Sequence, residues 1–269
     1  MYFLGIDIGS SSSKAALADE GKNVVAARVV NLGTGTNGIQ AALEALYAQA
    51  GASPRDIAYT VATGYGRLLY KDADRQITEI SCHARGINHL MKGIGTVVDI
   101  GGQDSKVIRL GEDGSVQNFV MNEKCAAGTG RFLEVMARVL GCTIGQLSDL
   151  AAQSTREVAI SSVCTVFAES EVISQLSQGS HPNDVAMGAL RAVAMRVAGM
   201  CGRVGISGRV AMSGGVALNQ SMVEVLGREL GCPVTPAPHT QAVGAIGAAL
   251  FARELYEKTG GSPAPRTGG

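Results

Sequence analysis

The chain carries the stretch Gly5-Ile-Asp-Ile-Gly-Ser-Ser-Ser-Ser-Lys14, which recurs without a gap as Val97-Val-Asp-Ile-Gly-Gly-Gln-Asp-Ser-Lys106. In each copy a run of β-forming residues ends in Asp-Ile-Gly, and a second β-like run follows the lysine. An acidic turn containing glycine then closes each hairpin, at residues 19–21 and 112–114. The repeat therefore predicts the same strand, loop and hairpin twice in one chain.

Each copy of the loop has residue types that bind phosphate groups. Glycine at the tight turn lets backbone N–H groups approach a phosphate, hydroxyl groups donate further hydrogen bonds, and the aspartate can hold a hydrated cation. We expect two such loops to clamp one nucleotide. The candidate residues of the first loop are Gly9, Ser10, Ser11, Ser12, Ser13 and Lys14. Those of the second loop are Gly101, Gly102, Gln103 and Asp104.

The composition fits a soluble nucleotide-binding protein and argues against two other classes. Of 269 residues, 46% are hydrophobic but only 4% are aromatic and none is Trp, which predicts tight packing of small side chains. The 23 basic and 23 acidic residues cancel, so there is no electrostatic footprint for nucleic acid or an anionic membrane. The N-terminus has neither a basic region nor an apolar span suited to export, which predicts a cytoplasmic protein.

Hydrophobic periodicity predicts alternating strands and helices. The predicted strands cover residues 2–8, 12–18, 24–30, 57–62, 208–212 and 232–235. The predicted helices cover residues 37–49, 126–140, 166–178, 183–204, 217–230 and 241–258. We expect a first lobe at residues 1–93 and a second at 94–259, with the last helix able to pack on the first lobe. Residues 260–269 are rich in Pro, Gly and Ser and predict a disordered tail.

Two further glycine-rich segments follow the phosphate loops. The segment 210–219 joins a predicted strand to a helix and contains Gly214, Gly215 and Asn219, which suit contact with the adenosine part of a nucleotide. The last predicted helix opens with Gln241 and Gly244. For Gly244 and Gly247 the alternative explanation is close helix packing, and for Gly214 and Gly215 a purely structural role also stays open.

Six cysteines, at positions 82, 125, 142, 164, 201 and 232, leave three kinds of role open. Without a secretory signal they do not predict a disulfide framework. The sequence has no Cys-x-x-Cys pair, which excludes a local zinc knuckle. Buried core thiols, metal ligands and redox-active groups therefore remain as interpretations.

The ordered set of glycine-rich loops resembles the actin-like ATPase superfamily, which includes sugar kinases and chaperone ATPases. The resemblance implies an α/β, ribonuclease H-like fold of two similar lobes with the nucleotide in the cleft between them. Within that superfamily, residues 99–106, residues 122–130 and Cys164 resemble the activators of 2-hydroxyacyl-CoA dehydratases, of the BadF type. That family implies a homodimer with ATP in each subunit and one [4Fe-4S] cluster at the dimer interface.

By the same resemblance, Cys125 and Cys164 are the cluster ligands, two from each subunit. Each precedes a predicted helix, and we expect both at helix N-termini, with Thr165 as the cap of the second helix. Exposed N–H groups there would bond to cluster sulfurs. Cys142, Cys201 and Cys232 lack this setting and are interpreted as core thiols. Cys82 is expected to have a structural or switch role.

The resemblance implies ATP-driven transfer of one electron, from reduced ferredoxin or flavodoxin through the cluster to the dehydratase. Asp7 and Asp99 would hold Mg²⁺ through water. Ser11, Ser12, Ser13 and Lys14 would contact phosphate, and Gln103 or Asp104 would position the attacking water.

Several alternatives stay open at the level of sequence. Lys14 and Lys106 can be solvated charges at strand ends. The same loops suit a small-molecule kinase, for example for a sugar, or a filament-forming ATPase. Closer alternatives are the ATPase subunit of an aryl-CoA reductase and an activator of a double-cubane cluster protein.

Overall fold

The computed structural model describes residues 1–161 and 164–261, and its strands follow the two copies of the repeat. In chain order the strands are β1 (Tyr2–Ile8), β2 (Ser13–Asp19), β3 (Val24–Val30), β4 (Ile57–Thr63), β5 (Arg75–Gln76), β6 (Ile94–Ile100), β7 (Ser105–Leu110), β8 (Val116–Asn122), β9 (Arg209–Ser213) and β10 (Val234–Pro236). The helices are α1 (Gly38–Ala50), α2 (Glu79–Leu90), α3 (Gly130–Val139), α4 (Ile144–Ala152), α5 (Thr165–Ser177), α6 (Pro182–Val204), α7 (Gln220–Leu230) and α8 (Val243–Lys258).

The chain divides into two compact units. The first comprises Met1–Lys92, Asp113–Val116 and the chain from Gln241 onward, and the second comprises Gly93–Glu112 and Gln117–Thr240. The expected lobes were 1–93 and 94–259 with the last helix able to pack on the first lobe, and α8 does belong to the first unit. The short segment Asp113–Val116 was not expected there. Of the expected tail, residues 262–269 lie outside the described residues.

The two sheets have the same strand order, one in each unit. The first runs β3-β2-β1-β4-β5 and the second runs β8-β7-β6-β9-β10. In the first sheet β1 is antiparallel to β2 and parallel to β4, and in the second β6 is antiparallel to β7 and parallel to β9. The strand, loop and hairpin predicted twice are confirmed.

The duplication extends to a strand that the repeated decapeptide does not contain. Thr63, at the end of β4, lies beside Asp7, and Ser213, at the end of β9, lies beside Asp99. The glycine that follows each of them has a positive φ, 89° at Gly64 and 88° at Gly214. At both positions a Cβ would overlap the carbonyl oxygen that ends the central strand, which explains the glycine.

The core of the first unit has a layer of helix on each face of the sheet. Side chains alternate along β1, so that Leu4 and Ile6 pack with α1, while Phe3 packs with Tyr59 and with α8. A Cβ at Gly5 would lie 2.0 Å from the carbonyl oxygen of Ala245 in α8. Glycine at this position therefore lets α8 cross the middle of β1 at close range.

The core of the second unit is built around α6. Thirteen of its 23 residues are buried, among α3, α4, α7 and the second sheet. Within the described residues, α6 is the one helix whose length and composition would also suit a membrane span, and 61% of its most apolar window is buried in the protein. That burial is the pattern of a core helix.

The buried side chain of Asp184 joins the start of α6 to the segment after α4. Its Oδ1 atom accepts hydrogen bonds from the N–H groups of Arg156 (3.0 Å) and Thr155 (2.7 Å) and from the Ser154 hydroxyl (3.0 Å). The bonds from Arg156 and Thr155 lower the pKa of the Asp184 carboxyl group, against a smaller effect of burial. A lowered folded-state pKa means that the charged form stabilises the fold.

We therefore expect Asp184→Asn to lower the thermal unfolding midpoint at neutral pH. The charge of Asp184 contributes its full stabilisation above the unfolded-state pKa of about 3.9, and this is lost as the pH falls through the lower folded-state pKa. The difference between variant and wild type should then shrink as thermal melts are recorded at decreasing pH below about 4. A difference that stays constant over that range would contradict a role for the charge.

Most predicted elements are found within one to three residues of their expected ends. Two helices, α2 and α4, were not predicted. Both carry a start signal, since Thr78 caps α2, and Thr143 with Gln146 forms a capping box at α4. The helix predicted at residues 126–140 begins later, at Gly130, and part of the one predicted at 217–230 is a short 3-10 turn, Gly215–Leu218.

Candidate functional site

The first phosphate loop is closed by backbone hydrogen bonds. The Gly9 N–H donates to the carbonyl oxygen of Ser12 over 3.0 Å, and the Gly9 carbonyl accepts from the N–H (2.9 Å) and the hydroxyl (3.0 Å) of Thr34. A Cβ at Gly33 would lie 1.9 Å from the Ser10 carbonyl oxygen, so the loop rests directly on the chain after β3. The loop is thus held in one conformation by its surroundings.

The first loop combines one buried charge pair with exposed hydroxyl groups. Asp7 is buried, and its Oδ2 atom lies 3.4 Å from Nζ of Lys14, whose side chain is 15% exposed. Ser11 is exposed, and Ser10 and Ser12 are partly exposed. Ser13 differs from the expectation, because it is buried and its hydroxyl proton is used in a hydrogen bond to the Leu32 carbonyl over 2.8 Å.

The second phosphate loop has the same closure, with the Gly101 N–H donating to the Asp104 carbonyl over 2.9 Å. Its charges are more deeply buried. Lys106 is 3% exposed and forms ion pairs with Asp104 and with Oδ2 of Asp99 (3.2 Å), while Oδ1 of Asp99 accepts from the Ser213 hydroxyl over 2.7 Å. Gln103 is exposed. The alternative that Lys14 and Lys106 are solvated strand-end charges is therefore wrong for both.

Residues from α2, from α8 and from the segment after β4 lie near Asp7. A Cβ at Gly64 would lie 2.4 Å from Oδ1 of Asp7, and a Cβ at Gly244 would lie 3.0 Å from Oδ2 of Asp7 and 3.0 Å from Nε2 of His83. His83 is buried. Neither Gly64 nor His83 was predicted as a site residue, and His83 is brought here by the long-range packing of α2 against α8.

Gly244 and Gly247, in the first turns of α8, are glycines for different structural reasons. Gly244 borders the Asp7 carboxylate. A Cβ at Gly247 would lie 1.8 Å from the carbonyl oxygen of Cys82 in α2, so Gly247 allows close packing of the two helices, which was the alternative explanation for these glycines. Gln241 precedes α8 and is partly exposed.

The glycine-rich segment after β9 also has structural contacts. Gly214 donates its N–H to the Thr240 carbonyl over 2.9 Å, and Gly215 begins the 3-10 turn. Asn219 caps α7, since its Oδ1 atom accepts from the Met222 N–H over 2.8 Å. Its Nδ2 atom is buried and has no hydrogen-bond partner within residues 1–161 and 164–261, which leaves a donor available to a ligand.

The six thiols fall into two groups by burial. Cys82 and Cys201 are fully buried, and burial raises the pKa of each to about 12, as expected of inert thiols. Cys125, Cys142, Cys164 and Cys232 are partly exposed.

The two predicted ligands have different local structures. Cys164 is the N-cap residue of α5, which confirms its expected place at a helix N-terminus, whereas Thr165 is the first helical residue and not the cap. Cys125 does not lie at a helix N-terminus, because α3 begins at Gly130. It lies instead directly before a turn at residues 126–129, and we call residues 125–129 the Cys125 turn.

The second phosphate loop, residues 101–104, which we call phosphate loop 2, is hydrogen-bonded to the start of α3. The N–H groups of Gly130 and Arg131 donate to the carbonyl oxygens of Gly101 and Gly102, both over 2.8 Å. The Cys125 turn and phosphate loop 2 are thus joined through the first turn of one helix. Within the described residues, no group of three or more His, Cys, Asp or Glu side chains is placed to hold a metal ion.

Comparison with known proteins gives consistent relatives along nearly the whole chain. A model of the BadF/BadG/BcrA/BcrD ATPase family matches residues 4–252. The activator of lactoyl-CoA dehydratase from Anaerotignum propionicum is 53% identical over 258 residues, covering 96% of this chain and 100% of that protein. The (R)-2-hydroxyglutaryl-CoA dehydratase activating ATPase from Acidaminococcus fermentans is 50% identical over 259 residues, covering 96% and 99%.

A solved structure gives the same result for the fold. The activator of the 2-hydroxyisocaproyl-CoA dehydratase from Clostridium difficile, with bound ADPNP, matches with a TM-score of 0.93 at 45% identity, covering 97% of each chain. Together with the duplicated sheet order, this match confirms the predicted actin-like ATPase fold.

Proposed function

Because the chain belongs to the BadF/BadG/BcrA/BcrD ATPase family, we propose that it hydrolyses ATP to activate a 2-hydroxyacyl-CoA dehydratase by one-electron transfer. The electron comes from reduced ferredoxin or flavodoxin and passes through a [4Fe-4S] cluster shared by two copies of the chain. All of these partners belong in the cytoplasm, where we place the protein.

The observation that carries the proposal is the connection between a phosphate loop and a thiol. Phosphate loop 2 accepts the first two N–H groups of α3, and α3 follows directly on the Cys125 turn. An ATPase that only binds or phosphorylates a small molecule has no use for a partly exposed thiol at this position. In a redox ATPase the same connection lets the state of the nucleotide reach the redox centre.

In the first loop, Ser10, Ser11, Ser12 and Lys14 bind the phosphates, and Asp7 holds Mg²⁺ through water. The residues around Asp7 fit a hydrated cation, because Gly64 and Gly244 place no side chain beside the carboxylate, whose one charged neighbour among the described ion pairs is Lys14. A cation at this position offsets the negative charge that phosphate brings near Asp7.

In the second loop, the exposed amide of Gln103 is better suited than Asp104 to orient the attacking water, because the Asp104 carboxylate is paired with Lys106. Gly101 and Gly102 form the backbone of the phosphate site. Asp99 has both carboxylate oxygens in contact with Lys106 and Ser213, so its contact with hydrated Mg²⁺ is secondary to that of Asp7.

The glycine-rich segments bind the adenosine part of the nucleotide. The buried Nδ2 of Asn219 supplies a hydrogen-bond donor. Gly214 lets the segment pass close to the end of β6, and Gly215 allows close approach of the ligand to the backbone. Gln241 and Gly244 are the remaining residues to which this proposal assigns a nucleotide contact.

Gly244→Ala and Gly247→Ala are expected to separate nucleotide binding from stability. The first places a methyl group beside Asp7 and His83, whose side chains can shift, and should weaken Mg-ATP binding about tenfold, or ~1.4 kcal/mol. The second overlaps the backbone of α2 and should lower the free energy of unfolding by about 1–3 kcal/mol. Calorimetric titration with Mg-ADPNP measures the nucleotide affinity, and urea unfolding measures the free energy of unfolding. Equal effects of the two variants on both measurements would contradict the assignment of Gly244 to the site.

The donor set fits an iron–sulfur cluster shared between two copies. Cys125 and Cys164 are partly exposed thiols of the same unit, and a twofold axis doubles them to four thiolates. When bound, a [4Fe-4S] cluster accepts and releases one electron at low potential. The N–H groups at the start of α5 are placed to stabilise the negative charge that arrives.

An apolar surface next to Cys164 supports the homodimer. Val166, Phe167 and Ile173 of α5 are 68%, 71% and 51% exposed, which is unusual for large apolar side chains on a free surface. A second copy that shares the cluster covers this face of α5. The exposure of these side chains near a predicted ligand is expected if the thiol lies at the subunit interface.

The proposal is tested by purifying the protein without oxygen and measuring iron, acid-labile sulfide and protein. We expect about four irons and four sulfides per dimer, together with ATP-dependent activation of a 2-hydroxyacyl-CoA dehydratase. Iron-free protein after anaerobic reconstitution would overturn the proposal in favour of a small-molecule kinase or a filament-forming ATPase. Activation that proceeds without ATP would contradict the coupling to hydrolysis.

The same preparation distinguishes the closer alternatives. Stable copurification with non-identical subunits would favour an aryl-CoA reductase, and reduction of a double-cubane protein would identify that acceptor instead.

A further inference from the structure

Asn122, the last residue of β8, holds two carbonyl groups of the Cys125 turn with one side chain. Its Nδ2 atom donates to the carbonyl oxygen of Cys125 over 2.9 Å and to that of Ala127 over 3.0 Å. A side-chain amide nitrogen has two hydrogens, so both of its donors are used on this turn. The backbone on both sides of Ala126 is thereby tied to the end of the strand.

Thr129 holds the carbonyl between these two. Its hydroxyl, in a fully buried residue, donates to the Ala126 carbonyl over 2.6 Å. Thr129 is the N-cap residue of α3, where a threonine hydroxyl normally accepts from the helix N–H groups, but here its side chain makes no cap hydrogen bond. Three successive carbonyls, of residues 125, 126 and 127, therefore each accept from a side chain.

The missing cap of α3 is supplied by phosphate loop 2. The first N–H groups of a helix lack partners within the helix, and those of Gly130 and Arg131 are satisfied by the carbonyls of Gly101 and Gly102. A Cβ at Gly130 would lie 3.0 Å from the Gly101 carbonyl oxygen, so the residue is small where the two segments meet. Loop 2, the start of α3 and the Cys125 turn form one hydrogen-bonded series.

We propose that Asn122 is a positioning residue that makes the Cys125 turn follow phosphate loop 2 as a rigid unit. The inference rests on the proposed function, since it gives the route by which a change at the γ-phosphate reaches a cluster ligand. The hydrogen bonds from Gly130 and Arg131 transmit a shift of loop 2 to α3. Asn122 and Thr129 prevent the five-residue turn from absorbing that shift before it reaches Cys125.

The test uses iron-free, full-length protein and amide hydrogen exchange of the segment 123–131, with Mg-ADP or Mg-ADPNP bound. In the wild type we expect exchange in this segment to differ between the two nucleotides. Asn122→Ala should raise exchange in the turn about tenfold, the factor that one to two net hydrogen bonds correspond to. It should also abolish the dependence on nucleotide, while the affinity for Mg-ADPNP is unchanged.

Two variants serve as controls. Asn118→Ala removes an exposed amide of the same strand, whose oxygen accepts a local hydrogen bond from the Phe119 N–H, and should behave as wild type. Asn122→Asp keeps the shape of the side chain but removes both donors, and should reproduce the effect of Asn122→Ala even if the alanine variant does not fold. Wild-type exchange in Asn122→Asp, or a retained dependence on nucleotide, would overturn the proposal.

A second readout uses the iron-loaded protein. The rate at which a chelator removes iron should depend on Mg-ATP in the wild type and in Asn118→Ala, and should lose that dependence in Asn122→Asp. If the wild type binds no cluster, the proposed function fails, but the exchange experiment on iron-free protein still tests the role of Asn122. If iron removal loses its dependence on Mg-ATP in Asn118→Ala as well as in Asn122→Asp, a specific role for Asn122 is contradicted.

Discussion

Replacing Cys125 or Cys164 by serine is expected to remove the cluster while leaving the ATPase fold and nucleotide binding intact. A [4Fe-4S] cluster needs four thiolates, and each substitution removes two of them from a twofold-symmetric dimer. Iron and sulfide should fall from about four per dimer to near zero. Dehydratase activation should be lost with them, whereas calorimetric titration should give the wild-type affinity for Mg-ADPNP.

The matched control for these variants is Cys142→Ser. Cys142 is a partly exposed thiol of the same unit, packs against the core of that unit, and burial raises its pKa. It should keep its iron, its activation of the dehydratase and its nucleotide affinity. Full iron content in both Cys125→Ser and Cys164→Ser would disprove the ligand assignment. Iron loss in Cys142→Ser alone would move the site to another part of the unit.

The centre of each sheet could be predicted from the sequence because the signal is local and occurs twice. Asp7 and Lys14, and likewise Asp99 and Lys106, are separated by one loop, so a strand pair joined by that loop must bring them together. The same reasoning gives the closure of both loops by a backbone hydrogen bond. The place of Cys164 at the start of a helix is also a local property of its sequence.

The parts that sequence reasoning missed depend on contacts between distant segments. The start of α3 was expected at residue 126, but the acceptors that define it, Gly101 and Gly102, lie in another loop. His83 lies beside Gly244, which borders Asp7, only because α8 belongs to the first unit and packs on α2. No periodicity within either helix carries that information. The burial of Ser13 likewise depends on the chain after β3.

The two lysines differ in their ion pairs, and replacing Lys106 is therefore expected to have a large effect on stability. Ser12 of the first loop corresponds to Asp104 of the second, and this one change gives Lys106 two carboxylate partners where Lys14 has one. Lys106→Met leaves the buried Asp99 and the partly exposed Asp104 without their cationic partner. Because breaking a buried pair from one side is costly, we expect the free energy of unfolding to fall by about 3–5 kcal/mol.

Lys14→Met is expected to have the opposite balance of effects. Its side chain is more exposed and has one carboxylate partner, so the free energy of unfolding should fall by about 1–2 kcal/mol. Nucleotide affinity should decrease more in this variant than in Lys106→Met, since Lys14 is the lysine available to phosphate. Urea unfolding followed by circular dichroism and titration with Mg-ADPNP measure both quantities.

A double variant separates loss of charge compensation from loss of packing at Lys106. Asp104→Asn in the Lys106→Met background removes one of the two uncompensated charges and leaves the volume almost unchanged. If charge is the cause, the double variant should be more stable than Lys106→Met alone, although Asp104→Asn by itself destabilises the wild type. Additive losses in the double variant would mean that Lys106 stabilises the second unit by the packing of its aliphatic chain, and the two loops would then differ in shape and not in electrostatics.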